Sequence, residues 1–248
     1  MVSKSQEKWL RQLQGKKFRD KFQLFIAEGH KTVAELLQSS LRFDKLFATE
    51  NWLRQKGKTF QLPQDRIVEV SPVEMKAISS FITPPEVLAV FPIPELPELW
   101  LKPELPYILL DNLRDPGNLG TIIRTADWFG IPAIICSPGC ADCFNPKAIQ
   151  ASMGSIARLP VYYHDLVRLL TDHPAIPSYA CTIQGVPLSQ DKPKGGFFII
   201  GNEAHGLTES LLAKCRHQIT IPGSGHAESL NAAIAAAIMM YEVSNFRQ

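Results

Sequence analysis

Five short runs in the C-terminal part of the chain, residues 107–110, 133–136, 179–183, 197–200 and 218–221, are continuously apolar or β-branched rather than alternating. Strands that read this way are buried on both faces, which is the pattern of a mainly parallel sheet covered by helices. Most of these runs are followed by a helical segment, so an α/β fold is predicted here. Ahead of them, β-type runs at 22–27, 43–48, 66–70 and 87–91 alternate with helical stretches at 5–14, 30–38 and 72–79, which predicts a second, smaller α/β unit. Prolines at 92, 94, 97, 103 and 106 separate the two, because such density blocks both helix and central strand. The expected organisation is residues 1–91, a proline-rich connector at 92–106, and a larger unit at 107–248.

The 248 residues are 45% hydrophobic and 20% charged, which excludes collagen-like and strongly disordered classes. No run of 18 or more apolar residues occurs, and the opening MVSKSQEKWLRQ lacks the apolar core of a signal peptide. A soluble, cytoplasmic protein without membrane contact is the expectation. Five cysteines are an odd count that does not suit a disulfide framework. Cys136, Cys140 and Cys143 are closely spaced, but Cys181 and Cys215 supply no second close pair. Packed thiols are therefore expected, and no metal site.

A net charge of +2 argues against a nucleic-acid ligand only if the charge is evenly spread. It is not: residues 1–21 hold seven basic side chains against two acidic ones. Lys16, Lys17, Arg19 and Lys21 close that block and are the candidate RNA-phosphate contacts. A solvated amphipathic helix is the alternative reading of the same charges.

In open α/β sheets ligands bind beyond the carboxyl ends of the strands, and three strand-to-helix junctions are chemically loaded. After 107–110, Pro116 and Gly117 make a turn, Asn118 can cap, and Ile122, Ile123, Ala126 and Phe129 form an apolar stripe. Arg124 falls within that arc and needs an anionic or hydrogen-bonding partner, with Asp111 or Asp127 as structural ion-pair candidates. After 197–200, Gly201 permits close backbone approach, and Asn202 and Glu203 put polar atoms at the strand's mouth. After 218–221, the loop containing Pro222, Gly223 and Gly225 leads to Ser229 and Asn231 at the start of an alanine-rich helix, where Ser229 could serve only as a cap. No Walker phosphate loop, nucleophile elbow or dinucleotide fingerprint is present.

Taken in order, Asn118-Leu-Gly120 with Arg124-Thr-Ala126, then Gly201-Asn-Glu-Ala-His-Gly-Leu207, then Ile221 to Asn231 resemble the three motifs of the SpoU (TrmH-type) branch of the SPOUT RNA methyltransferases. The stretch at 25–29 and the following helix resemble the ribosomal-protein-like substrate-binding domain often fused to that branch. The resemblance implies S-adenosylmethionine as methyl donor, a ribose 2′-hydroxyl of RNA as acceptor, a C-terminal trefoil knot, and a homodimer whose interface builds the site. It assigns Gly201, Asn202, Ile221, Pro222 and Leu230 to the cofactor, and Asn118, Arg124, Glu203, Ser229 and Asn231 to the polar catalytic set. Small departures occur at Ala204, Gly223 and the Ala-Ala after Asn231, while every proposed polar group is kept.

Those residue types suit the chemistry. A sulfonium methyl is already electrophilic, so the enzyme must align the ribose oxygen and assist loss of its proton. A guanidinium stays protonated in proteins and is a poor base unless strongly perturbed, so for Arg124 phosphate anchoring and oxyanion stabilisation are equally open roles. The expected function is methylation of ribosomal RNA, ahead of transfer RNA. An inactive RNA-binding assembly factor of the same fold and a base-nitrogen methyltransferase are the competing classes.

Overall fold

A computed structural model describes residues 2–60, 62–191, 193–202 and 204–246. They divide into two compact units: Met1–Glu95 with Asp142–Ala157, and Leu96–Ala141 with Arg158–Gln248. Residues 142–157 lie within the span read above as one C-terminal unit, yet they pack with the first.

The first unit opens with α1 (Lys4–Leu13), started by a reciprocal capping box between Ser3 and Gln6. A second helix, α2 (Lys16–Phe22), ends at Gln23 in the left-handed conformation and turns the chain into β1 (Leu24–Glu28). Then come α3 (His30–Gln38), β2 (Lys45–Ala48), α4 (Glu50–Gln55), β3 (Ile67–Glu69), α5 (Pro72–Ile78) and β4 (Val87–Pro92). The four strands lie in the order β1-β4-β2-β3, with β4 antiparallel to both neighbours and β2 parallel to β3. Leu10 and Leu13 of α1 and Met75 and Ile78 of α5 close a core against Ile26, Phe47, Leu88 and Val90 on the sheet. Glu28, buried at the end of β1, accepts hydrogen bonds from the Ser79 hydroxyl and from the amide and hydroxyl of Ser80, which fixes the chain beyond α5.

Residues 142–157 join this unit through Arg19 and two side-chain contacts. The Phe144 ring packs on Phe25 of β1 at 5.0 Å, and a Cβ at Gly154 would lie 2.4 Å from Cβ of Glu35. Gly154 also has φ +89°, so close approach and backbone conformation both demand glycine there.

The second unit contains β5 (Pro106–Leu110), α6 (Pro116–Trp128) and β6 (Ile134–Cys136) before the chain passes through α7 (Pro146–Ser152) of the first. It continues with β7 (Val161–Tyr163), α8 (Leu166–Asp172), β8 (Ser178–Pro187), α9 (Leu188–Asp191), β9 (Gly196–Ile200), α10 (Glu209–Leu212), β10 (His217–Thr220) and α11 (Ala232–Phe246). All six strands pair in parallel in the order β10-β8-β9-β5-β6-β7. Every residue of β5 and β9 is buried, as their uninterrupted apolar character requires. The order reverses between β5 and β9: after β5 the chain builds outward through β6 and β7, then returns to the other side. The proline-rich stretch is not a loose tether on this side. Leu99, Leu101 and Leu105 pack on the core around Tyr107 and Phe197, and the Tyr107 hydroxyl accepts from the Lys102 amide.

Candidate active site

The chain leaves β5 at Asp111, whose carboxylate is 4% exposed and fully engaged. One oxygen accepts from the Asn112 side chain at 2.9 Å, the other from the Thr208 amide at 2.9 Å. Asn112 takes a left-handed conformation at φ +53°, and its amide donates to the Ser137 hydroxyl. Gly139 accommodates that side chain, because a Cβ there would sit 2.0 Å from Asn112 Oδ1. The Cys140 thiol ties down the same loop, accepting from the Leu113 amide and donating to the Leu110 carbonyl. A hydrogen bond from Cys136 leads the influences that hold Cys140 at about 7, below the usual thiol value, against the opposing effect of burial.

At the end of β9, Gly201 meets the return of its own loop. A Cβ on Gly201 would lie 2.3 Å from the Gly206 carbonyl carbon, and Asn202 and Gly206 exchange backbone hydrogen bonds of 3.0 and 2.8 Å. The Asn202 side chain then bridges the two strand ends, donating to the Asn112 carbonyl and accepting from the Ala204 amide. Gly201 and Asn202 therefore stand at the mouth of β9, at the point where the strand order reverses. Glu203 lies outside the described residues.

The first and third motifs are joined by a hydrogen bond of 3.1 Å from the Asn231 side chain to Asn118 Oδ1. Asn231 Oδ1 also accepts from the Ala233 and Ile234 amides, so it caps α11. This corrects the capping role considered for Ser229, which is exposed and stands three residues before the first residue of the helix. Asn118 is not the cap of α6 either: Asp115 is, accepting the Asn118 amide at 2.7 Å, which leaves the Asn118 side chain for Asn231. Between Thr220 and Ala232 the backbone belongs to no helix or strand; Ile221 is half-buried, while Pro222 and Leu230 are exposed.

Arg124 departs from expectation. Leu119, Gly120, Ile122, Ile123 and Ala126 form the buried side of α6, and Arg124 points away from it, exposed. Neither suggested carboxylate reaches it: Asp111 is engaged as above, and Asp127 pairs with Arg158 at 2.8 Å. Within one chain Arg124 makes no hydrogen bond to Asn118 or Asn231 among the described residues.

In the first unit, Lys16, Lys17 and Lys21 are exposed and Arg19 is not. Arg19 is 2% exposed, with Nε and Nη2 on one oxygen of Asp142 at 3.0 and 2.6 Å and Nη1 on the Leu13 and Gln14 carbonyls. Its guanidinium is spent on structure, so the phosphate-contact expectation is withdrawn for this residue. The thiols of Cys136, Cys140 and Cys143 are buried and in no disulfide, and no metal-binding cluster occurs among the described residues.

Sequence reasoning overlooked Asn112, Ser137 and Thr208 and considered Asp111 only as a partner for Arg124, whereas these four build the crevice floor. A usable signal was present: Asp-Asn directly follows a run buried on both faces, and polar atoms placed there must be satisfied internally.

Comparison with known proteins agrees with this geometry. Residues 106–241 match the SpoU rRNA Methylase family, and residues 4–89 match the MRM3-like substrate binding domain. The 23S rRNA (guanosine(2553)-2′-O)-methyltransferase RlmP of Bacillus subtilis is 32% identical over 94% of this chain and 93% of its own. The 23S rRNA (uridine(2479)-2′-O)-methyltransferase of Streptomyces viridochromogenes is 29% identical over 82% of this chain and 74% of its own. A crystal structure of an AdoMet-bound rRNA methyltransferase from Sinorhizobium meliloti superposes with a TM-score of 0.85 at 30% identity, covering 99% of this chain and 97% of that one. With three motifs gathered around the carboxyl ends of a parallel sheet and a matching substrate-binding unit in front, the chain belongs to the SpoU rRNA methylase family.

Proposed function

We propose that the chain transfers the methyl group of S-adenosylmethionine to a ribose 2′-hydroxyl of ribosomal RNA. The observation that carries this reading is the Asn231–Asn118 hydrogen bond, which joins two motifs more than a hundred residues apart at the carboxyl end of the sheet. Both curated relatives named above act on 23S rRNA, which favours ribosomal over transfer RNA.

The residues present fit the cofactor. The turn at Gly201 has no room for a side chain, and residues 221–231 offer backbone groups outside any helix or strand, beside the apolar side chains of Ile221 and Leu230. Gly201, Asn202, Ile221, Pro222 and Leu230 would hold it, largely through main-chain atoms. When bound, it supplies an electrophilic sulfonium methyl. The chain's part is to orient the acceptor and manage its proton. Asn118 and Asn231 position the ribose, with Ser229 and Glu203 completing the polar set. Arg124 anchors the adjoining phosphate or stabilises the developing 2′-oxyanion.

Arg124 reaches that position from a second copy of the chain. It is exposed, and Trp128, one turn further along α6, is 83% exposed. Ile234 and Tyr241 on the neighbouring α11 are about half exposed, and the Tyr241 ring meets Phe129 beside Trp128. An apolar surface of this kind is expected to be covered. A homodimer across α6 and α11 would cover it and complete the site. In this reading the segment from β10 through α11 threads the trefoil knot, the front unit with Lys16, Lys17 and Lys21 meets RNA phosphates, and the protein acts in the cytoplasm.

The test is Arg124→Ala. Methyl transfer to ribosomal RNA should fall by about a thousandfold, while calorimetry shows cofactor affinity within about twofold of wild type. Normal turnover in that variant would remove Arg124 from the mechanism.

A further inference from the structure

We propose that the cavity at the carboxyl ends of β5 and β9 is the recognition pocket for the acceptor base, and that it selects guanine. The inference rests on the methyltransferase reading above. The two curated relatives act on a guanosine and on a uridine, so they leave the base open.

The cavity measures about 320 Å³, the lower end of the range for small-molecule pockets. It lies where the strand order reverses, the place at which open α/β sheets bind ligands. Asn112, Arg114, Asn202, His205, Thr208 and Glu209 supply its polar wall. The two asparagines are committed to the floor, Asn112 to Asp111 and Asn202 to the Asn112 carbonyl and the Ala204 amide. The side chains of Arg114, His205, Thr208 and Glu209 are exposed and show no hydrogen bond among the described residues. They are the groups left for a ligand, and Arg114 and Glu209 are the charged pair among them.

A guanidinium offers paired donors, and a carboxylate paired acceptors. Guanine is the one common base that matches both. O6 and N7 are adjacent acceptors for Arg114, while N1–H and the N2 amine are adjacent donors for Glu209. Adenine, cytosine and uracil each lack two adjacent donors on the Watson–Crick edge, so each would set a lone pair against the Glu209 carboxylate. The pocket also adjoins the cofactor loop, because Asn202 and Gly206 belong to both. A base held there leaves its ribose near the carboxyl ends of the strands.

The probe is free nucleoside monophosphates binding to the full-length protein saturated with S-adenosylhomocysteine, followed by calorimetry or NMR. GMP should bind about tenfold more tightly than AMP, CMP or UMP. IMP, which lacks the N2 amine, should bind several-fold more weakly than GMP. Glu209→Gln should abolish the GMP–IMP difference, whereas Arg114→Ala should weaken both alike, with S-adenosylhomocysteine affinity unchanged in each variant as the check on folding. Equal binding of the four nucleotides, no GMP binding at about 10 mM, or a GMP–IMP difference that survives Glu209→Gln overturns the pocket assignment. Analysis of methylated RNA separates the two layers: 2′-O-methylation of a nucleoside other than guanosine defeats the base reading alone. Failure to bind S-adenosylhomocysteine defeats the methyltransferase reading itself.

Discussion

Replacing Arg19 by alanine should destabilise the first unit without altering how the protein senses salt when it binds RNA. The substitution removes four hydrogen bonds from a guanidinium that is 2% exposed, and it strands the Asp142 carboxylate, whose side chain is 14% exposed. Deleting one partner of a buried pair costs about 3–5 kcal/mol. Here the lower half of that range applies, because Asp142 keeps the Phe144 amide on its other oxygen and retains some contact with water. The expected loss is therefore about 3–4 kcal/mol. Urea unfolding followed by fluorescence reads it directly, since Trp52 is 1% exposed and stacks parallel to Phe60 at 6.1 Å within the same unit. Arg19→Ala combined with Asp142→Ala should cost less than the sum of the two single changes, by about 1–3 kcal/mol, because the double variant leaves no unpaired charge. A loss below about 1 kcal/mol, or strict additivity, would refute the account of Arg19 as the clamp that holds residues 142–157.

Three further outcomes are expected. Replacing Lys16, Lys17 and Lys21 together by alanine should lower the salt slope of RNA binding by about 2, and an unchanged slope would return those lysines to a merely solvated face. Glu74, held at about 2 by hydrogen bonds from the Ser71 and Val2 amides, ionises more readily when folded than its ordinary value of 4.5 allows. Its contribution to stability is present above that ordinary value and is lost as pH falls towards the folded one, so the stability gap between wild type and Glu74→Gln should close in acid; a gap constant with pH would contradict this. Trp128→Glu should yield a monomer in sedimentation and lose methyl transfer, whereas an unchanged oligomeric state would remove the α6–α11 face from the interface.

The sheet of the second unit was legible because β5 and β9 are buried on both faces and so contain no polar interruptions. The three-residue β7 was not, since Tyr162 and Tyr163 are partly exposed and its apolar signal is short. The pairing of Asn118 with Asn231 follows from motif order only in outline. Which side chain caps which helix depends on backbone geometry, and Asp115 and Asn231 took the roles open to Asn118 and Ser229. Arg19 shows the limit of charge counting: its position in a basic block looks like surface, yet the partner that buries it lies 123 residues further on. The affiliation of residues 142–157 was hidden for the same reason, because long-range packing leaves no local periodicity.

The central claim is tested most directly by incubating the purified protein with methyl-labelled S-adenosylmethionine and large-subunit ribosomal RNA lacking the modification, then hydrolysing the RNA in alkali. A 2′-O-methyl group blocks cleavage of the neighbouring phosphodiester, so the account predicts label in an alkali-resistant dinucleotide at a single position. Label recovered wholly in mononucleotides would mean methylation of a base, and no transfer at all would mean that this fold binds RNA without acting on it.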